Sequence, residues 1–387
     1  MDRRALIAAA TKAVRKQFKG SITDIASRAL EFPSVWASTG SLSLDRLCAG
    51  FNPGGIPMGP RYGRIIHIAG EWSTAKSLIL DHLFKSVLVD LGGLAKCTET
   101  EGSRDPHFAN AIGLPLDLLV IDRPDSFEHA FDMFESWHEA IRKEDEEIPV
   151  IWGFDSLDST EAEKSTGKAL SESGGWHFGG GRAEVLGAGL RRMAKLCSRY
   201  PTTIVLLNQT RDNVGAMFGP KKRTPGGNPP HFYASLELML KASPRPGGGY
   251  VRSDVAMPEF TKAAIKRLGL YNLEDTAVIG RYIRATCTKT KMSTTLDTTA
   301  DFYVDFRRGI HAWEGLAERL IAEGLLRTNP DASGDFEMPG VTMRDQPDKD
   351  KAEFVDAPAK FKTKREWLNF VAKNMEVLRA RVPEAKP

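Results

Sequence analysis

The stretch "HIAGEWSTAKSLIL", residues 67–80, decides the fold. An apolar run, Ile65 to Ala69, leads into Gly70-Glu71-Trp72-Ser73-Thr74-Ala75-Lys76-Ser77, and "SLILDHLFKSVLVDLG" continues with a helical pattern. Strand, small-residue turn and helix in that order, with the spacing G-x-x-x-x-G-K-[ST], make a phosphate-binding P-loop. The one departure is Ala75, where the second glycine belongs. In such a loop, backbone N–H groups wrap phosphates at a helix N-terminus whose dipole favours the anion. Lys76 is placed to reach the β- and γ-phosphates, and the Ser77 hydroxyl to serve Mg²⁺. Glycine is favoured before the lysine because the backbone packs closely there. The methyl of Ala75 either fits with a small shift or costs phosphate affinity. A chance cluster of Gly, Ser, Thr and Lys is the alternative, and the strand-before, helix-after context argues against it.

Working outward, further apolar runs at 117–122, 148–155 and 202–209 alternate with helical patterns. That alternation predicts an α/β fold with a mostly parallel sheet covered by helices on both faces. "VIWGFDS" ends one predicted strand on Asp155 and Ser156. An acid there is what a P-loop enzyme needs to hold the Mg²⁺ hydration shell. Taken alone, Asp155 is an ordinary strand-end residue, and Lys76 gives it meaning. Two glycine-rich segments, 171–182 and 211–230, interrupt the pattern and read as loops.

The 387 residues suffice for one large core with smaller appendages, and 41% of them are hydrophobic. A formal charge of +3 is too mild to require a nucleic-acid partner, so any basic surface is local. Cys48, Cys97, Cys197 and Cys287 are widely spread with no C-x-x-C pair, which disfavours zinc and structural disulfides and fits a reducing compartment. The opening "MDRRALIAAATKAVRKQF" reads as a basic amphipathic helix, not a signal peptide, and no apolar run is long enough to span a bilayer. These features predict a cytoplasmic protein.

Several segments together, in order over about residues 10–315, resemble the RecA recombinase family. "ALIAAATKAVRKQFKGSI" looks like its N-terminal polymerisation helix, and "GGIPMGPRYGRIIHIAG" like the approach to its P-loop. "TEGSRDPHFANAIGL" is similar to the segment with the catalytic glutamate, "NQTRDNVGAMFG…TPGGNPPHFYAS" to the γ-phosphate sensor and second DNA loop, and "KTK" to the two-lysine pattern. UvsX-type recombinases of bacteriophages also depart from glycine before the P-loop lysine. The resemblance implies a RecA-like P-loop NTPase core at 39–312, an N-terminal polymerisation segment at 1–38, and a small α/β C-terminal domain at 313–387.

It also implies roles. Glu101 would orient or deprotonate the attacking water, and Gln209 would bind the γ-phosphate and pass its state to the next loop. Asp105 and Phe108 would contact adenine. Lys289, Lys291 and Phe306 would complete the site of a neighbouring subunit; two residues apart on a strand, the lysines share a face. Residues 210–230 would contact DNA. Arg211, Lys221, Lys222 and Arg223 stand there against Asp212, with Phe218 as a stacking ring. Gly226, Gly227 and Asn228 would bring backbone N–H groups to phosphates. In the first DNA loop, about 168–183, "GWHFGGGR" departs from the bacterial pattern, and only Arg182 is assigned; Arg192, opening onto the next helix, would touch a DNA phosphate or stand as plain surface.

The implied function is a DNA-dependent ATPase using ATP and Mg²⁺. It would form helical filaments on single-stranded DNA and catalyse pairing with a homologous duplex, aided by a single-strand-binding protein and a loading mediator. A non-catalytic paralogue and a RecA-core hexameric motor are the rivals. Residues 243–284 exceed the expected length and predict an added helix or hairpin. The chain closes on "RARVPEAKP", not the acidic tail of bacterial members, so that restraint on DNA binding is expected to be absent or different.

Overall fold

The P-loop strand lies at the centre of a ten-stranded sheet. The structure is a computed structural model. It describes residues 36–49, 56–57, 63–102, 104, 106–160, 180–212, 222–252, 278–291 and 298–311, with Lys12 and short strands between 327 and 361. The chain divides into two units, Met1–Ser34 and Val35–Pro387. The expected N-terminal helix falls in the first, outside the described residues apart from Lys12.

In chain order the core elements are β1 (Trp36–Ala37), α1 (Leu42–Ala49), β2 (Ile56–Pro57), β3 (Ile65–Gly70), α2 (Lys76–Lys85), β4 (Leu94–Glu99), α3 (Pro106–Ala111) and β5 (Leu119–Asp122). Then come α4 (Phe127–Glu144), β6 (Val150–Asp155), α5 (Gly180–Arg199), β7 (Thr202–Gln209), β8 (Arg211–Asp212) and β9 (Lys222–Arg223). The last are α6 (Pro229–Tyr233), β10 (Leu236–Ala242), β11 (Tyr250–Arg252), β12 (Val278–Thr290), β13 (Thr299–Asp305) and β14 (Gly309–Ile310). The sheet order is β14-β13-β12-β10-β3-β7-β6-β4-β5, with β11 on β12. Every pairing from β10 to β5 is parallel, and those beyond β10 are antiparallel.

Alternation along the strands makes two cores. Ile66 and Ile68 face α2, packing with Leu80, Leu83 and Phe84, while Ile65, Trp152, Phe154, Ile204 and Leu206 face α4 and α5. Helix α4 shows why its sequence folds so. Ser126 caps it by accepting the His129 N–H at 3.2 Å, and Phe127, Ala130, Phe131, Phe134 and His138 fall on one buried stripe. Phe134 stacks on Trp152, ring centroids 4.2 Å apart.

Strand β4 is absent from the sequence-based expectation because its centre, Lys96-Cys97-Thr98, is polar. All three are buried: Lys96 pairs with Asp122 at 2.5 Å, and Thr98 donates to Asp122 at 2.6 Å and accepts from Trp152 at 2.9 Å. In the long 243–284 segment, Tyr250–Arg252 pairs antiparallel with β12; residues 253–277 lie outside the described residues. Most of 313–387 lies outside the described residues too; those described there form short strands, Arg327–Thr328, Phe336–Met338 and Ala359–Phe361 in one sheet and Thr342–Met343 with Ala352–Glu353 in another.

Candidate active site

Parallel strands deliver the site residues to one edge. Gly70 at the end of β3 is in register with Gln209 at the end of β7, and Glu99 at the end of β4 with Asp155 at the end of β6. That carboxyl edge is where open α/β sheets bind ligands.

The loop after β3 has the backbone shape of an anion-binding turn at a helix N-terminus. A Cβ on Gly70 would come within 2.6 Å of the Leu240 carbonyl oxygen, so only glycine fits beside β10. Ala75, the N-cap of α2, has φ 63° and ψ 26° and makes no side-chain cap hydrogen bond. The first-turn amides of α2 thus open into the loop, as an anion requires. The left-handed backbone is also why glycine is favoured at this position: the constraint is conformational, where close packing was expected. Ser73 is left-handed as well, with φ 54°. Thr74 closes the loop through a 2.7 Å hydrogen bond to the Glu71 carbonyl. Trp72 stands 80% exposed on its rim.

Lys76 is buried and donates to the carbonyls of Gly70 (3.2 Å) and Glu71 (2.7 Å). Burial lowers its pKa, opposed by Asp155, Glu101 and Glu71. The Ser77 hydroxyl donates to Asp155, whose pKa burial raises and Ser77 lowers, with a net rise. A hydroxyl and a buried carboxylate side by side, next to Lys76, form a hard oxygen donor pair that fits Mg²⁺. Glu101 Oε1 accepts from Ser156 Oγ at 2.7 Å and from Gln209 Nε2 at 3.1 Å. The base and sensor implied by the resemblance are therefore in direct contact, and Thr210 N donates to the Gly70 carbonyl at 3.0 Å.

From Gln209 the chain runs directly into the candidate DNA loop. Arg211 and Asp212 (β8) pair with Arg223 and Lys222 (β9), and Asn208 Nδ2 holds the far end through the Pro225 carbonyl at 2.9 Å. Gly226 and Gly227 have φ 88° and 70°, and Asn228 precedes α6. Arg211 pairs with Asp158 at 2.6 Å. Phe218 and Lys221, like Asp105, lie outside the described residues, as does the first DNA loop up to residue 179. Arg182 stacks over Phe127 and donates to the Leu157 carbonyl. Arg192 pairs with Asp132 (2.8 Å) and Glu135 of α4, so its charge is already met within the chain.

Phe108 is half-buried against the α2-side core, and Phe306 is 48% exposed in the turn after β13. Lys289 Nζ donates to the His231 carbonyl and, at 3.0 Å, to that of Phe232, both in α6. Burial lowers its pKa, Lys291 lowers it further, and Glu237 opposes. Lys291 lines a cavity of about 290 Å³ with Arg64, Tyr233 and Ser235. Behind Lys289, Glu237 accepts from His67 (2.8 Å), His231 (2.7 Å) and Thr288 (2.8 Å). Burial alone would raise the Glu237 pKa, but these bonds bring it down to about 2. Sequence reading did not single out this cluster, nor Asp81 and Arg104 beside the site.

Residues 5–246 match the family model of the RecA N-terminal domain. The chain belongs to the RecA family. Protein RecA of Rubrobacter xylanophilus is 33% identical over 242 residues, 62% of this chain and 65% of that protein. RecA of Salinispora tropica is 31% identical over 241 residues, 62% and 64% of the two chains, and RecA of Brevibacillus brevis 32% over 241, 62% and 63%. The chain thus spans a little under two thirds of these relatives' length. The matched RecA segment holds the P-loop, Glu101, Asp155 and Gln209; Lys289, Lys291 and Phe306 lie beyond it. Among the described residues no helix is long and apolar enough to cross a membrane.

Proposed function

We propose that the chain is a DNA-dependent ATPase that polymerises on single-stranded DNA and catalyses homologous pairing and strand exchange. The Glu101–Gln209 contact carries the reading: it joins a general base to the strand that feeds the candidate DNA loop. Lys76 exchanges its loop carbonyls for phosphate oxygens. Ser77 and Asp155 would hold Mg²⁺, which would supply positive charge to stabilise the reacting phosphate when bound. Glu101 accepts a proton from the attacking water. Gln209 meets the γ-phosphate, and the exchange of its partner from Glu101 to phosphate frees the base and reaches β8. Lys289 and Lys291 serve the site of the next subunit, as an arginine finger would. Residues 1–38 join subunits, and residues 313–387 form a small C-terminal domain.

Joint-molecule formation between single-stranded DNA and a homologous duplex tests this, with electron microscopy of the same mixtures. Pairing with DNA-coated filaments supports the proposal. Filaments without pairing or ATP turnover point to a non-catalytic paralogue, and rings without filaments to a hexameric motor.

A further inference from the structure

Two charged residues beside the site stand where apolar ones would pack. Asp81 lies on α2 among Leu80, Leu83 and Phe84, and Arg104 lies in the loop after β4; both side chains are 9% exposed. Arg104 Nη1 contacts Asp81 Oδ1, Nη2 donates to Cys97 Sγ at 3.2 Å, and the guanidinium lies 5.7 Å from the Phe84 ring centroid. The Arg104 backbone N–H donates to Glu99 Oε1 at 3.0 Å. Glu99 Oε2 in turn accepts from Arg123 at 2.7 Å.

These contacts fix one end of a short segment. The other end is held by Thr100, whose N–H donates to the Asp155 carbonyl at 2.9 Å and whose hydroxyl donates to the Ser156 carbonyl at 3.1 Å. Glu101 sits between the two anchors. A buried ion pair rarely stabilises a fold more than two apolar side chains would. What a guanidinium fork adds is direction: it holds a carboxylate at fixed distance and angle. Burial pushes the Asp81 carboxyl up to about 6 despite Arg104, with Asp155 adding to the rise.

We infer that the Arg104–Asp81 pair is a positioning device for Glu101, tying the loop that carries the base to the helix that carries Lys76. Base and phosphate-binding lysine then hold their spacing as one body. This rests on the reading of Glu101 as the base of an ATPase.

Two readouts test it on the full chain. The first is single-stranded-DNA-stimulated ATP turnover of wild type, Arg104→Ala, Asp81→Asn and the double variant. Arg104→Ala should lower kcat by about tenfold or more, since misplacement of about 1 Å costs up to about a hundredfold, while KM for ATP stays within about twofold. Asp81→Asn, which keeps the side-chain shape and an acceptor oxygen, should lower kcat in the same sense and blunt the effect of Arg104→Ala. Arg104→Lys should recover part of the loss. The second readout is hydrogen exchange: amides of 99–104 should exchange faster in Arg104→Ala and those of α2 should not. Unchanged kcat in folded Arg104→Ala, or effects of the two substitutions that simply multiply, would overturn the inference. Should wild type fail to hydrolyse ATP, the functional reading fails, and the exchange measurement decides the clamp alone: unchanged protection across 99–104 rejects it.

Discussion

Gln209 donates its side-chain amide to Glu101 across 3.1 Å, joining the ends of two structural arms at this edge of the sheet. One arm is the loop after β4, and the other is β7 with the loop beyond it. If that contact is the switch, Gln209→Ala should leave ATP binding near wild type and remove most of the DNA stimulation of hydrolysis, by about tenfold or more. Steady-state turnover with and without single-stranded DNA, beside equilibrium nucleotide binding, separates the two effects. Equal DNA stimulation in the variant would show that the signal travels another way.

Ala75 holds a left-handed backbone that costs an L-residue about 1–2 kcal/mol. Glycine removes that cost but loses more chain entropy on folding. Ala75→Gly should therefore raise stability by about 0.5–1 kcal/mol and leave ATP affinity equal or tighter. Thermal unfolding and nucleotide titration check both. Weaker ATP binding would mean that the methyl group itself contributes to the loop.

Lys289 sits on β12, two strands from the P-loop strand and level with its His67, and its ammonium rests on α6 carbonyls. A role in the neighbouring subunit makes a specific prediction. Lys289→Ala and Glu101→Gln should each abolish DNA-stimulated turnover, yet a mixture of the two should regain part of it. Some interfaces in the mixture pair an intact base with an intact lysine. No recovery in the mixture, with both variants folded, argues against completion in trans.

Glu237 gives a stability prediction with a definite sign. Its folded pKa of about 2 lies below the unfolded value near 4.3, so the stabilisation is present above pH 4.3 and is lost as pH falls toward 2. The amount is on the order of 2–3 kcal/mol. Denaturant midpoints between pH 6 and 2.5 should fall more steeply for wild type than for Glu237→Gln. Parallel curves would remove Glu237 from the account. Asp81, with its pKa raised to about 6, has the opposite sign: its contribution favours the fold at low pH and is lost as pH rises through 6.

Much of the site was legible because phosphate chemistry leaves spacing in the sequence: Gly70, Lys76, Ser77 and the strand-end Asp155 fall where the motif requires. Strand β4 was not, because Lys96 and Thr98 look exposed until Asp122 and Trp152 are seen to satisfy them. The reason for glycine's preference at position 75 is a backbone angle that no composition reveals. The partners of Arg192, Asp132 and Glu135, come from a helix some sixty residues earlier and leave no trace near it in the sequence. Long-range pairs of this kind, Arg104 with Asp81 included, have no local signature.

This P-loop is expected to work as an ATP site coupled to DNA. Phosphate release from ATP, measured for the purified chain with and without single-stranded DNA, tests it most directly. Turnover should be slow alone, rise by about tenfold or more on DNA, and fall by about a hundredfold in Glu101→Gln. No turnover under either condition, or turnover indifferent to both DNA and Glu101, would contradict it.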